Sequence, residues 1–273
     1  MKGISFGQYY PANSIIHNMD PRFKVLLATS FIVATFMCKS AVSFAALLCI
    51  GISLIFVSRI PLKTIVRSIA PLLFIIGFTV VINIFFGTGE DLLVEFWGIR
   101  IYAEGLWRAL FMFLRIFVLI TSTSIFLTYT TTPMDLTDAL ESLLSPLKHL
   151  HVPVHVFAMM MSITLRFIPT LTEETEKIMN AQKARGADFA NGTLIQRVKA
   201  LIPILIPLFS SAINRATQLA DAMECRCYHG GEGRTRLNVM QWHASDVVYT
   251  LVGVAICVLL AFLNQIQLGY VMN

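Results

Sequence analysis

Two arginines stand in matching surroundings. Ala181-Gln182-Lys183-Ala184-Arg185-Gly186 and Ala222-Met223-Glu224-Cys225-Arg226-Cys227 share one pattern: alanine, two spacers, a small residue, arginine, a small residue. Each closes a run of helical character. A single arginine in a last helical turn is explained by the helix dipole, which favours a cation there by about 0.3–1 kcal/mol, and Gly186 suits a helix cap. Two copies within one insert point further. A guanidinium offers a planar fork that pairs bidentately with a carboxylate. Twin arginines predict a partner with two similar sockets, such as a dimer of related subunits. Ala184, Arg185, Gly186, Cys225, Arg226 and Cys227 are therefore the candidate docking residues.

Other chemistry is sparse. Gly230-Gly231-Glu232-Gly233 lacks the Gly-Lys-Ser/Thr that would make a phosphate loop and reads as a turn. No His-Glu-x-x-His or Gly-x-Ser-x-Gly occurs. Cys225-x-Cys227 with His229 has no clear fourth ligand for a metal. His149, His151 and His155 fall in and around a turn, as interfacial or solvated residues. No paired carboxylates lie inside the apolar runs, which argues against an acidic relay. No catalytic residue, metal site or cofactor is expected.

The elements that must position these arginines are membrane helices. The chain has 273 residues, 56% hydrophobic and 14% charged, with mean hydropathy +0.71. That composition belongs to membrane proteins. The net charge of +5 sits beside the apolar runs, which suits membrane topology and not nucleic acid. The cysteines suggest no disulfide framework, and Met1 to Pro21 lacks the apolar core of a signal peptide.

Asp20-Pro21-Arg22 reads as a helix start, with Asp as cap and Pro at the first position. The apolar run Val25 to Val57 would make a helix of roughly 50 Å, against about 30 Å of bilayer core. Its interruption at Lys39-Ser40 predicts two spans and a tight turn. A third span is expected from about Ile69 to Phe86, a fourth from about Leu106 to Tyr129 and a fifth from about Val247 to Leu263. Arg108 and Arg115 within the fourth should face protein, water or headgroups.

Lys2, Arg22, Lys24, Arg59, Lys63, Arg67 and the basic insert fall on one side, which should be cytoplasmic. The N-terminus is then inside and the C-terminus outside. Val154–Leu171 is almost long enough to be another span, and Ala200–Ile213 is apolar but short. Were both to cross, Lys177, Lys183, Arg185, Arg197 and Lys199 would lie outside, against the charge rule. Both are expected to stay at the cytoplasmic side or interface.

Within the insert, Thr132-Pro133-Met134-Asp135 starts an amphipathic helix carrying Leu136, Leu140, Leu143, Leu144 and Leu147. Pro153 opens a second helix, to about Lys183, which Pro169 should kink. A third runs from about Thr193 to Glu224 through Pro203 and Pro207. Both long helices have an apolar first half and a polar second half, and both end near the arginine pattern. The methionines at 159–161 read as core filler or as an adaptable contact surface.

Several stretches together resemble the transmembrane scaffold, or T component, of energy-coupling-factor (ECF) ABC transporters. They are His17-Asn18-Met19-Asp20-Pro21-Arg22-Phe23-Lys24, Thr132-Pro133, Leu165-Arg166-Phe167-Ile168-Pro169 and Ala184-Arg185-Gly186, with Pro207-Leu208-Phe209 through Ala222-Met223-Glu224 and Arg234-Thr235. The resemblance covers most of the chain. It implies an all-α integral membrane protein of about five transmembrane helices plus three cytoplasmic coupling helices, the last two long and crossed. It implies an N-terminal transmembrane domain over 1–130, a coupling domain over 131–240 and a last span within 241–273. It implies two ABC-type ATPases, each receiving one arginine motif. It also implies a substrate-binding membrane subunit, one of several in shared modules for vitamins or metal ions. That subunit would contact Leu140, Leu143, Leu144, Val156, Met159, Met160 and Ile163. One departure is plain: the second motif is Cys225-Arg226-Cys227, where the family usually has Gly after the Arg.

The chain is thus expected to transmit force without catalysis in a vitamin or micronutrient importer, ATP being hydrolysed in its partners. The alternatives are a multi-pass membrane enzyme, which lacks a catalytic constellation, and an autonomous secondary carrier. A lone active polypeptide would favour either of these.

Overall fold

The computed structural model describes residues 9–85, 92–96, 99–187, 189, 193–230 and 243–263. Gly231-Glu232-Gly233, Arg234, Thr235, Arg236, Glu90 and Asp91 lie outside these residues. The described chain is an all-α membrane protein with one short hairpin, and it divides into two units. The first comprises Met1–Ala139 with Val239–Asn273, the second Leu140–Asn238.

The first unit opens with a single turn, α1 (Ile15–Asn18), followed by α2 (Pro21–Met37) and α3 (Ala41–Ser58). Asp20 caps α2 as its sequence predicts: its carboxylate accepts the Arg22 N–H at 2.9 Å. The expected break falls at Cys38–Ser40. The Cys38 carbonyl, freed at the end of α2, accepts from Arg115 Nη2 at 2.7 Å, and the same guanidinium lies 5.2 Å over the Phe44 ring. Arg115 therefore faces protein. It supplies the cation that a helix C-terminus favours.

The third expected span is a bent pair. Ile60, Leu62, Ile65, Val66 and Ile69 keep helical spacing, so Lys63 and Arg67 sit on a short helix α4 (Leu62–Ile69) and not in a loop. A 3₁₀ turn at Ala70–Leu72 leads into α5 (Leu73–Phe85). Pro71 lies in that turn, and the two arms bend by 56°. The segment after α5 forms an antiparallel hairpin, β1 (Leu92–Phe96) with β2 (Ile99–Tyr102). The expected fourth span is α6 (Ala103–Thr123), which widens into a π turn at Ser124–Tyr129. The last helix, α10 (Ala244–Leu263), packs on α2, where a side chain in place of Gly253 would run into Leu27 Cδ2. Ile55, Ile76, Ile125 and Tyr129 belong to one buried cluster, and Phe31, Phe44, Leu47, Phe111 and Leu260 to a second.

The insert begins with α7 (Pro133–Leu143), whose Thr132 and Asp135 bond reciprocally to close its first turn. In the second unit follow a 3₁₀ turn (Ser145–Leu150), α8 (Val154–Ala184) and α9 (Leu194–Glu224). Among the described residues, α3, α6 with its π turn, α8, α9 and α10 are long and apolar enough to cross a membrane, and the bent pair α4–α5 would add a sixth. At 17 residues α2 lies at the short end of spanning length.

Candidate docking site at two helix ends

Helices α8 and α9 each have 31 residues, and each runs through its internal prolines to the arginine pattern. Pro153 opens α8. Thr193 caps α9 in a capping box whose Gln196 side chain accepts the Thr193 N–H at 2.9 Å.

The two helices pack antiparallel. At one end the Gln182 amide donates to the Pro203 carbonyl at 3.5 Å, a long bond. That carbonyl lies four residues before Pro207, which has no N–H to offer it, so the α8 side chain takes the place of the missing helical donor. In the middle Arg215 Nη2 donates to Glu174 Oε2 at 3.0 Å, and the Ser211 hydroxyl bonds the same carboxylate. At the other end Ile163, Phe167 and Leu171 face Leu219, Ala220 and Met223 across a groove of about 360 Å³. Arg185 and Arg226 consequently terminate opposite ends of the pair. Each lies eleven residues beyond the Glu174–Arg215 pair, so at 1.5 Å per residue they are about 33 Å apart along it.

The two helix ends share one geometry. After α8, the Gly186 N–H bonds Lys183 O and the Ala187 N–H bonds Gln182 O, both at 3.0 Å, with Gly186 at φ +89. After α9, the Cys227 N–H bonds Glu224 O at 2.9 Å and the Tyr228 N–H bonds Met223 O at 3.0 Å, with Cys227 at φ +55. Both are Schellman caps with the arginine at the capping position and the next residue in the left-handed region. Cys227 thus holds the conformation that glycine usually supplies, and the departure in the second motif does not change the cap. Ala184, Arg185, Gly186, Cys225, Arg226 and Cys227 are all exposed.

The residues expected to meet a substrate-binding subunit also lie in the second unit. Leu140, Leu144, Val156 and Met160 are exposed, while Leu143, Met159 and Ile163 are half-buried, Ile163 lining the groove against α9. His149 and His151 are exposed. His155, expected at an interface or in solvent, is half-buried because its Nδ1 lies 3.1 Å from Glu141 Oε1. Among the described residues no group of three His, Cys, Asp or Glu side chains could hold a metal, Cys225, Cys227 and His229 included.

Residues 12–237 match the family model CbiQ, described as a cobalt transport protein. The chain belongs to this family. Curated relatives carry the name energy-coupling factor transporter transmembrane protein EcfT. One from Thermosediminibacter oceani is 48% identical over 249 residues, 90% of this chain and 92% of the relative. Another, from Ruminiclostridium cellulolyticum, is 47% identical over 251 residues, 92% and 93% of the two chains. A third, from Bacillus subtilis, is 41% identical over 264 residues, 97% and 99%. The resemblance to ECF T components therefore holds across nearly the whole chain, and the protein is a transporter subunit.

Sequence reasoning did not single out one residue of this T component. Lys24, one of the charges on the expected cytoplasmic side, is only 2% exposed. Its ammonium donates to His17 O at 3.0 Å and Thr130 O at 2.8 Å. Asp246, at the start of α10, is buried too and accepts the Asp20 N–H at 3.4 Å. A lysine inside the Asp20-Pro21-Arg22-Phe23-Lys24 run, one turn past the cap, was the available signal.

Proposed function

We propose that this T component is the energy-coupling subunit of an ECF-type ABC importer for vitamins or other micronutrients. Two ABC-type ATPase subunits dock on the two arginine-bearing helix ends, one at Arg185 and one at Arg226. A substrate-binding membrane subunit rests on the end of α7 and the apolar first half of α8, around Leu140, Leu143, Leu144, Val156, Met159, Met160 and Ile163. ATP is bound and hydrolysed in the partners. Their movement shifts the tips of α8 and α9, and the shift releases or resets the substrate subunit.

The observation that carries this reading is the pair of equivalent caps. Each exposes one guanidinium at the end of a long helix, at opposite ends of one antiparallel pair. A partner that engages both needs two like sockets about 33 Å apart, which suits a dimer of related ATPases. The charge rule puts these tips, the N-terminus and all of 131–240 on the cytoplasmic side of the cell membrane. The N-terminal domain over 1–130 contributes four spans, with α4–α5 counted as one, and the segment 241–273 contributes the last. An odd number of crossings leaves the C-terminus outside.

Arg185→Glu combined with Arg226→Glu tests this. The tagged wild-type chain, purified from native membranes, should bring down polypeptides that hydrolyse ATP. The double variant should lose them or leave their ATP turnover uncoupled from uptake. A double variant that assembles and transports like wild type sinks the mechanism.

A further inference from the structure

The ends of five helices meet at the Lys24 ammonium. Its two hydrogen bonds go to carbonyls at helix C-termini: His17 O in the last turn of α1, and Thr130 O at the cap of the π turn that ends α6. Those carbonyls lack intrahelical donors and carry the negative end of the helix dipole, so a cation belongs there. The carboxylates within electrostatic reach of the ammonium are Asp135, Asp20 and Asp246. Each belongs to a helix N-terminus: Asp135 to the first turn of α7, Asp20 to the cap of α2, Asp246 to the first turn of α10. The Asp20 N–H donates to Asp246 Oδ2, which ties α2 to α10 directly.

One of these five helices differs from the rest. It is α7, which begins in the first unit and carries the chain into the second. The other four belong wholly to the first unit, and α2, α6 and α10 are read as spans. Any motion that travels along α7 reaches its N-terminal turn next to Thr130, the carbonyl that Lys24 holds.

We infer that Lys24, with Asp246, is the positioning node through which movement of α7 is passed to α2, α6 and α10. This rests on the coupling role proposed above. Without the ammonium, the three acidic helix starts and the two helix C-termini lose their common counter-charge. The 130–135 connection could then move without drawing α10 with it.

The test uses the complete complex, purified with its ATPases, and follows backbone hydrogen exchange with and without ATP and vanadate. It needs no knowledge of the transported solute. In the wild type the nucleotide should change exchange at the tips of α8 and α9 and also at the start of α10, around Ala244–Thr250. In the charge-balanced variant Lys24→Met with Asp246→Asn, the response at the tips should persist within about twofold while the response in α10 falls at least about fivefold. The milder Asp246→Asn keeps a similar shape and an acceptor, and should lower the α10 response by about two- to threefold. The inference is overturned if α10 responds normally in the double variant. It is equally overturned if the double variant fails to assemble while Asp246→Asn transmits like wild type, because the node then serves folding alone. A wild-type complex whose α8 and α9 tips ignore the nucleotide would instead sink the coupling role itself.

Discussion

Cys227 offers a quantitative check on the docking geometry, because it stands where the first motif has Gly186. A residue with a Cβ in the left-handed region costs about 1–2 kcal/mol relative to the right-handed one. Cys227, at φ +55, bears that cost. Replacing it with glycine relieves it. The unfolded chain meanwhile gains freedom worth about 0.5–1 kcal/mol. The net for Cys227→Gly is a cap more stable by about 0.75 kcal/mol at the centres of those two ranges, so about 0.5–1 kcal/mol is the working interval. The reverse change, Gly186→Cys, should have the opposite sign. No heavy atom lies within 4 Å of a Cβ built at Gly186, so its cost is backbone strain alone. At φ +89 it lies further from the left-handed minimum than Cys227 does, so the loss should be at least as large as the gain.

Hydrogen exchange reads these caps one amide at a time. The relevant donors are Cys227 and Tyr228 after α9, and Gly186 and Ala187 after α8. A change of 0.5–1 kcal/mol in local opening alters protection by about two- to fivefold. Cys227→Gly should raise protection at Tyr228 by that factor, and Gly186→Cys should lower it at Ala187. Changes of the same sign at both sites would refute equivalence of the caps. So would a loss of protection in Cys227→Gly, since it would mean that the thiol side chain, not the backbone, holds the turn.

Two further outcomes follow. Gly253 lets α10 approach α2 at Leu27, so Gly253→Leu should destabilise the first unit by about 1–3 kcal/mol through overpacking, seen as a lower melting temperature in detergent. Gly253→Ala should cost less, because the atom it meets is the tip of a leucine that can turn. His17 is held neutral: burial first, and then the neighbouring Lys24 charge, push its pKa below the usual 6.5, against the Tyr10 carbonyl bond that raises it. A base with a depressed folded pKa stabilises the fold above its unfolded pKa, and that contribution is lost as pH falls through the folded value. Exchange protection over Ser14–Asn18 should therefore drop as pH is lowered below about 6.5, and His17→Gln should remove the pH dependence.

How much of this was readable from the chain depends on the range of the forces involved. Asp20-Pro21 and Thr132-Pro133 announced their helices because capping is a matter of three or four neighbouring residues. The break at Lys39-Ser40 was visible because bilayer thickness limits helix length. The third span looked continuous because hydropathy does not record direction, whereas Pro71 turns the chain by 56° without interrupting the apolar run. The position of Lys24 one turn past a cap hinted at burial, but its partners were out of local range, since its two acceptors come from positions 17 and 130 and its counter-charges from 20, 135 and 246. The six candidate docking positions were marked by repetition. The cap at Cys227 was not, because a cysteine gives no local signal for the left-handed region.

The spacing of the central ion pair from the two arginines bears on mechanism. Arg185 and Arg226 are 41 positions apart, and so are Glu174 and Arg215. The ion pair across α8 and α9 therefore joins positions equally spaced from the two arginines. In an antiparallel pair, equivalent residues meet where a local twofold axis passes. The flanking contacts fit that axis, since Gln182 lies against Pro203 on one side while Ile163 faces Met223 on the other. Each arginine lies eleven residues beyond its member of the central pair, an arm of about 16 Å. Glu174 and Arg215 are themselves partly exposed, and such pairs contribute little to stability, about 0–1 kcal/mol. A weak, polar pivot between two equal arms resists sliding less than an interlocked apolar seam would. Equal displacements applied at the two tips then produce equal and opposite motions about the centre, which is what a partner with two like sockets would deliver.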